Sequence, residues 1–165
     1  MKYEAFNELN HFQYHDAEIN QINIQDNNMQ WDVSYINATT ENSQNNLSKD
    51  MCIDQANMQF NDFSIDKIVQ SAYKTFDSNK NLIESSEAKE AEPDDYCNIL
   101  QGSVGNYCRI HSMKILSSVK NKQRACCNID SFSANYELYF SFSKVVVQWN
   151  EYNGLAWYES NHSDG

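Results

Sequence analysis

The sequence predicts a β-dominated α+β domain: antiparallel sheet of six to eight strands, rolled or sandwich-like, with one short helix near residues 93–101. Three observations carry this expectation. Short runs rich in aromatic and β-branched residues recur along the chain, most densely from Tyr107 onward, each bounded by polar residues. Only four Gly and one Pro occur in 165 residues, so Asn, Asp and Ser must make the turns, which they can because they tolerate left-handed backbone and bond their own main chain. Helical periodicity is confined to short stretches, and strands that follow one another with little helix between them fold over on themselves.

The elements follow in chain order. Between His15 and Ile24, Ala17 and Ile19 share one parity and Ile22 and Ile24 the other, the pattern of a strand interrupted by a bulge. Asp26-Asn27-Asn28 supplies a turn, after which Met29, Trp31, Val33 and Tyr35 recur at period two, so 15–37 reads as a β-hairpin. Residues 38–50 are polar and aperiodic, an exposed loop. Ala56, Met58 and Phe60 then alternate with Gln55, Asn57 and Gln59, giving one dry and one wet strand face. Residues 65–76 fit a helix through Ile65, Ile68, Val69, Ala72, Tyr73 and Phe76. They also fit a strand entering the turn Asp77–Asn81 and returning through Leu82 and Ile83; the hairpin is the favoured reading.

Residues 84–95 hold six acids and one Lys and read as an acidic, solvated connector. Pro93 can open a helix, with Asp94 and Asp95 against its N-terminal dipole and Tyr96, Ile99 and Leu100 facing inward. Four strands follow, over Tyr107–Leu116, Ala125–Ile129, Tyr136–Phe142 and Val145–Trp149. In the last of them Val145, Val147 and Trp149 should face inward, and Lys144, Val146, Gln148 and Asn150 the other way, toward water or a thinner layer. Asn153-Gly154 should then turn Leu155–Tyr158 back alongside that strand, bringing Trp157 near Trp149 or Val147.

Length and charge bound the function. Residues 1–165 (19.2 kDa) suit a single domain that needs neither disulfides nor a metal to supply its core. Twenty-three acids against twelve bases leave a net charge of −11, which argues against nucleic acid or an anionic membrane as partner and leaves a basic protein as the one that charge favours. No apolar run approaches the roughly 18 residues of a membrane span, and the opening MKYEAFNELNHF has no signal-peptide pattern, so a soluble cytoplasmic chain is expected. Five cysteines, an odd number with two adjacent, fit reduced thiols in that compartment.

Several constellations invite chemistry, and each has a plainer explanation. His15 and Asp16, neighbours on a predicted strand, point to opposite faces and cannot form a catalytic pair without a bulge. Cys108-Arg-Ile-His111, with Cys97, Cys126 and Cys127, supplies soft ligands but lacks the spacing of a closed zinc site; buried structural thiols are favoured and no metal is expected. Asp77-Ser-Asn79-Lys-Asn81 resembles the start of a calcium loop, yet Leu82 stands where the sharp turn needs glycine and Ala88 where the bidentate Glu belongs, which favours an Asx turn. No phosphate loop, nucleophile elbow or H-E-x-x-H helix is present, and no cofactor is expected. The aromatic cluster near the C-terminus, Trp149, Tyr152 and Trp157 with Glu151 and Glu159 among them, is the candidate binding region.

The segments Tyr14–Ile19 (YHDAEI) and Gln148–Glu159 (QWNEYNGLAWYE), the second preceded by YELYFSF, resemble uncharacterised small β-rich domains of low-GC Gram-positive bacteria. Those domains open on a His-Asp-Ala strand and close on a Trp, Gly, Trp-Tyr-Glu pattern, and some have been proposed as immunity proteins that neutralise toxins. The resemblance implies a β-rich fold and no active site. Asn150 stands here where the pattern has an acid. The expectation is therefore a non-enzymatic cytoplasmic protein-binding domain, an immunity-type inhibitor of a basic partner. The alternative is a small carboxylate-dependent hydrolase with its site near Trp149, Glu151, Trp157 and Glu159, which requires two carboxyls roughly 5–9.5 Å apart in one concave pocket.

Overall fold

Alternating apolar residues become strands wherever one face can be buried, and the structure, a computed structural model describing residues 1–159, shows how those faces are paired. Its strands are β1 (Tyr3–Phe6), β2 (Phe12–Gln13), β3 (Ala17–Gln25), β4 (Asn28–Ser34), β5 (Ile36–Ala38), β6 (Met51–Ile53), β7 (Ala56–Asn61) and β8 (Ser64–Gln70). The chain continues through β9 (Tyr73–Phe76), β10 (Leu82–Ser86), β11 (Lys89–Glu90), the helix α1 (Tyr96–Ser103), β12 (Cys108–Val119), β13 (Lys122–Ser131), β14 (Asn135–Phe142) and β15 (Lys144–Trp149). β dominance, antiparallel pairing and the single short α-helix agree with the sequence. The strand count does not: fifteen strands form among the described residues, ten of them in one sheet, because short segments such as β1, β2, β5 and β6 find partners far away in sequence.

The large sheet runs β1-β15-β7-β4-β3-β12-β13-β14-β8-β11. It rolls over on itself at the seam between β3 and β12, which pair only at Glu18 with Arg109 and Ala17 with Ile110. The chain crosses between the two halves by short corners, Asp62-Phe63 from β7 to β8 and Ser143 from β14 to β15. Between the layers Phe60 meets Phe140 and Phe142 edge-on, each at 5.3 Å, and Trp31 lies 5.6 Å from Phe60. All four rings are buried. A smaller sheet, β2-β5-β6, flanks a second aromatic cluster made by Tyr3, Phe12, Trp149 and Tyr152.

The hairpin expected over 15–37 forms as β3 and β4, with the bulge between Ile19 and Gln21 and Asp26 at φ 54° in the turn. Residues 65–70 and 73–76 are strand, in β8 and β9, with Ser71 and Ala72 between them in neither. The helix begins later than expected: Pro93–Asp95 form a 3-10 turn and α1 spans Tyr96–Ser103, with Leu100 buried and the Ser103 and Tyr136 hydroxyls 2.9 Å apart. The acidic stretch 84–95 is a connector only in part, since Glu84–Ser86 belong to β10 and Lys89–Glu90 pair with β8. Likewise the loop over 38–50 is not wholly exposed. Asn42 and Asn45 are buried, and the Asn45 amide donates to the carbonyls of Ala38, Thr39 and Lys49.

The largest correction concerns the C-terminus. Asn153-Gly154 does turn, with Gly154 at φ 86°, but no hairpin with β15 follows. Both edges of β15 are already taken, by β1 and β7, so the chain passes instead along β6: Asn153 N–H donates to the Cys52 carbonyl, Cys52 N–H to the Gly154 carbonyl, and Leu155 bridges Met51. Trp157 consequently lies beside His15, at 6.4 Å between rings, and not against Trp149 or Val147.

Candidate functional site

The seam between β3 and β12 and the edge of the small sheet enclose a cleft of about 520 Å³, lined by His15, Asp16, Glu18, Tyr35, Asn37, Cys52, Arg109, Asn153, Leu155 and Trp157. Arg109, leaving β12 opposite Glu18, is its charged centre. The guanidinium reaches Glu18 at 3.4 Å through Nη2 and Asp16 at 3.9 Å through Nη1, and it lies over the Tyr107 ring at 5.0 Å. All three charged groups are partly exposed, so these loose pairs contribute little to stability.

Local backbone geometry sets the rest. His15 and Asp16 lie in a turn before β3, and Asp16 at φ 65° swings its carboxylate round to within 3.5 Å of His15 Nε2, so the two side chains do not point apart as they would on a strand. His111, on β12, meets the His15 ring edge-on at 5.7 Å. Tyr35 breaks the parity of β4: at φ 62° it turns the chain toward β5 and leaves its ring 52% exposed instead of inward. Asn37 follows on β5, 2% exposed, with a buried Oδ1 that accepts no hydrogen bond among the described residues. The buried Arg109 Nε is likewise without an acceptor. Burial, and then the Asp54 charge, push the Cys52 thiol up, which keeps it protonated and a poor nucleophile.

The residues expected from sequence separate. Trp149 is 0% exposed, stacked on Tyr3 at 5.4 Å and edge-on to Phe12 at 5.8 Å. Tyr152 is half-buried beside it, donates its hydroxyl to the Gln44 carbonyl at 3.0 Å, and is pushed up to about 12, chiefly by burial. Glu159 accepts the Asp50 N–H at 3.0 Å, while Glu151 is exposed. Trp157 alone of the five lines the cleft, 57% exposed. Glu151 and Glu159 do not converge there, and no indole edge of Trp149 is accessible.

A second surface has a different character. β9 and β10 form a separate two-stranded ribbon whose residues are all exposed, with Tyr73, Phe76, Leu82 and Ile83 between 47% and 65% exposed. The Asp77 carboxylate closes its tip, accepting from the N–H groups of Asn79 and Asn81 and from the Asn81 amide, which draws that carboxyl below its ordinary value. At the ribbon's base a recess of about 370 Å³ is lined by Lys89, Glu92, Asp95 and Asn98 among others.

Arg109, Glu18, Tyr35 and Asn37 were not legible as site residues. They come together through the seam and through the left-handed Tyr35, and no spacing in the sequence records either. The chain matches no protein-family model, no curated protein and no solved structure. Among the described residues no helix is long and apolar enough to cross a membrane.

Proposed function

We propose that the chain is a non-enzymatic protein-binding domain for a basic partner, an immunity-type inhibitor acting in the cytoplasm. The β9–β10 ribbon carries the reading. An isolated two-stranded hairpin is marginal in water, and this one holds four large apolar side chains out to solvent where a monomer gains nothing from them. Covered by a partner, the same side chains would bury both faces of the ribbon.

Charge selects the partner. Between Tyr73 and Asp95 stand seven acids (Asp77, Glu84, Glu87, Glu90, Glu92, Asp94, Asp95) and three lysines (Lys74, Lys80, Lys89), a local net charge of −4 within a chain at −11. Such a surface steers a cationic protein toward the ribbon and speeds its association. Glu92 and Asp95 in the basal recess offer carboxylates to a Lys or Arg of that partner.

The test is co-expression with the product of the neighbouring gene, followed by affinity purification. A stoichiometric complex is expected, weakened by high salt and lost in a Phe76→Ser, Ile83→Ser double variant that keeps the wild-type thermal midpoint. A wild-type chain that brings down no basic partner, or a double variant that binds as well as wild type, overturns the proposal.

A further inference from the structure

We propose that the cleft around Arg109 is a saccharide-binding site, independent of the ribbon. Its chemistry narrows the ligand by elimination. An anion would meet Asp16 and Glu18, and a cation would meet Arg109, because both signs of charge stand on one 520 Å³ surface. A purely apolar molecule would cover the partly exposed Arg109, Asp16 and Glu18 and strip water from them with nothing in exchange. A neutral polyhydroxylated ring answers all of these demands, since every hydroxyl both donates and accepts.

The planar groups fit the same ligand. Carboxylate, guanidinium and amide each span two adjacent hydroxyls of a pyranose, and the cleft is lined by two carboxylates, one guanidinium and two amides. The exposed rings of Tyr35 and Trp157 line it too, and an aromatic face packs against the C–H face of a sugar. Asn37 separates this arrangement from a chance gathering of surface charges: it lines the cleft at 2% exposure, and its Oδ1 accepts no hydrogen bond among the described residues, a buried polar group of the kind that native structures rarely leave unexplained. The volume lies within the roughly 300–1,000 Å³ usual for small-molecule sites and suits a mono- or disaccharide.

The protein carries its own reporter. Trp31 and Trp149 are 0% exposed and Trp157 is 57% exposed, so ligand-dependent changes in indole emission come from the cleft. The test titrates methyl α-D-glucopyranoside, methyl β-D-galactopyranoside, N-acetyl-D-glucosamine and maltose, reading both Trp emission and saturation-transfer NMR on the sugar protons. N-acetylarginine amide and N-acetylglycine methylamide serve as cationic and peptide competitors.

Saturable millimolar binding of at least one sugar is expected, weakened about tenfold or more by Tyr35→Asn, which removes the ring but tolerates the left-handed backbone, and by Arg109→Gln. Wild-type thermal midpoints must accompany both losses. Should Arg109→Gln fail to fold, the exposed Tyr35 variant alone decides. No response to any of the four sugars overturns the proposal, as does binding that Tyr35→Asn leaves unchanged. A response to the peptide compounds alone also overturns it and reassigns the cleft to a peptide.

Discussion

Tyr35 shows what a single residue costs and supplies. A bulky side chain in left-handed backbone is disfavoured by about 1–2 kcal/mol, yet Tyr35 sits at φ 62° with its ring toward solvent. Glycine would relieve that strain and lose about 0.5–1 kcal/mol of it again through the freedom of the unfolded chain. Tyr35→Gly is therefore expected to leave the urea midpoint unchanged or raised; a clear fall would mean that the ring packs more than its exposure indicates. Trp149 is the opposite case. Its indole is enclosed by Tyr3, Phe12 and Tyr152, and Trp149→Ala should cost about 3–5 kcal/mol, much of a small domain's stability. Loss of binding with an unchanged midpoint would contradict this packing role.

At the scale of elements, what the sequence disclosed is what periodicity can encode. The β3–β4 hairpin, its bulge, the β7 alternation and the inward set Val145, Val147 and Trp149 all follow from which residues share a face, and all are present. Pairings between distant segments are different. β1 lies against β15 with Tyr3 opposite Trp149, and nothing local in Tyr3–Phe6 announces that partner. This unseen strand is one reason the hairpin expected after Asn153-Gly154 does not form, since it occupies an edge the returning chain would need. The candidate cleft was opaque for the same reason: its walls are brought together by the β3–β12 seam and by one αL residue. The ribbon was legible as a hairpin, whereas its independence from the large sheet was not. Because β9 and β10 pair only with each other, replacing 73–86 by a short Gly-Ser link should move the thermal midpoint little while abolishing capture of a basic partner. A large loss of stability on excision would show that the ribbon is part of the domain's cooperative unit.

For the molecule as a whole, the buried acids of the core are phenols and thiols, not carboxyls, and this sets the side on which pH unfolds it. Burial is the largest influence on each of them: it holds Tyr14, Tyr136 and Cys127 above their ordinary values and pushes Cys108 from the ordinary thiol value near 9 to about 11. A group whose folded pKa is raised binds its proton more tightly in the native state. Its contribution to stability is complete below the unfolded pKa and disappears as pH climbs through the folded one. Thiols enter that window near pH 9 and phenols near 10, so the urea midpoint should hold level from neutrality to about pH 9 and then fall steeply toward pH 11. Cys108→Val removes one of the earliest groups to titrate, and Cys127, buried between the same layers, remains to begin the decline. The variant's loss of stability between pH 9 and 11 should therefore be shallower than wild type but not absent. If the two profiles superimpose, burial of Cys108 is not part of what makes the fold sensitive to alkali.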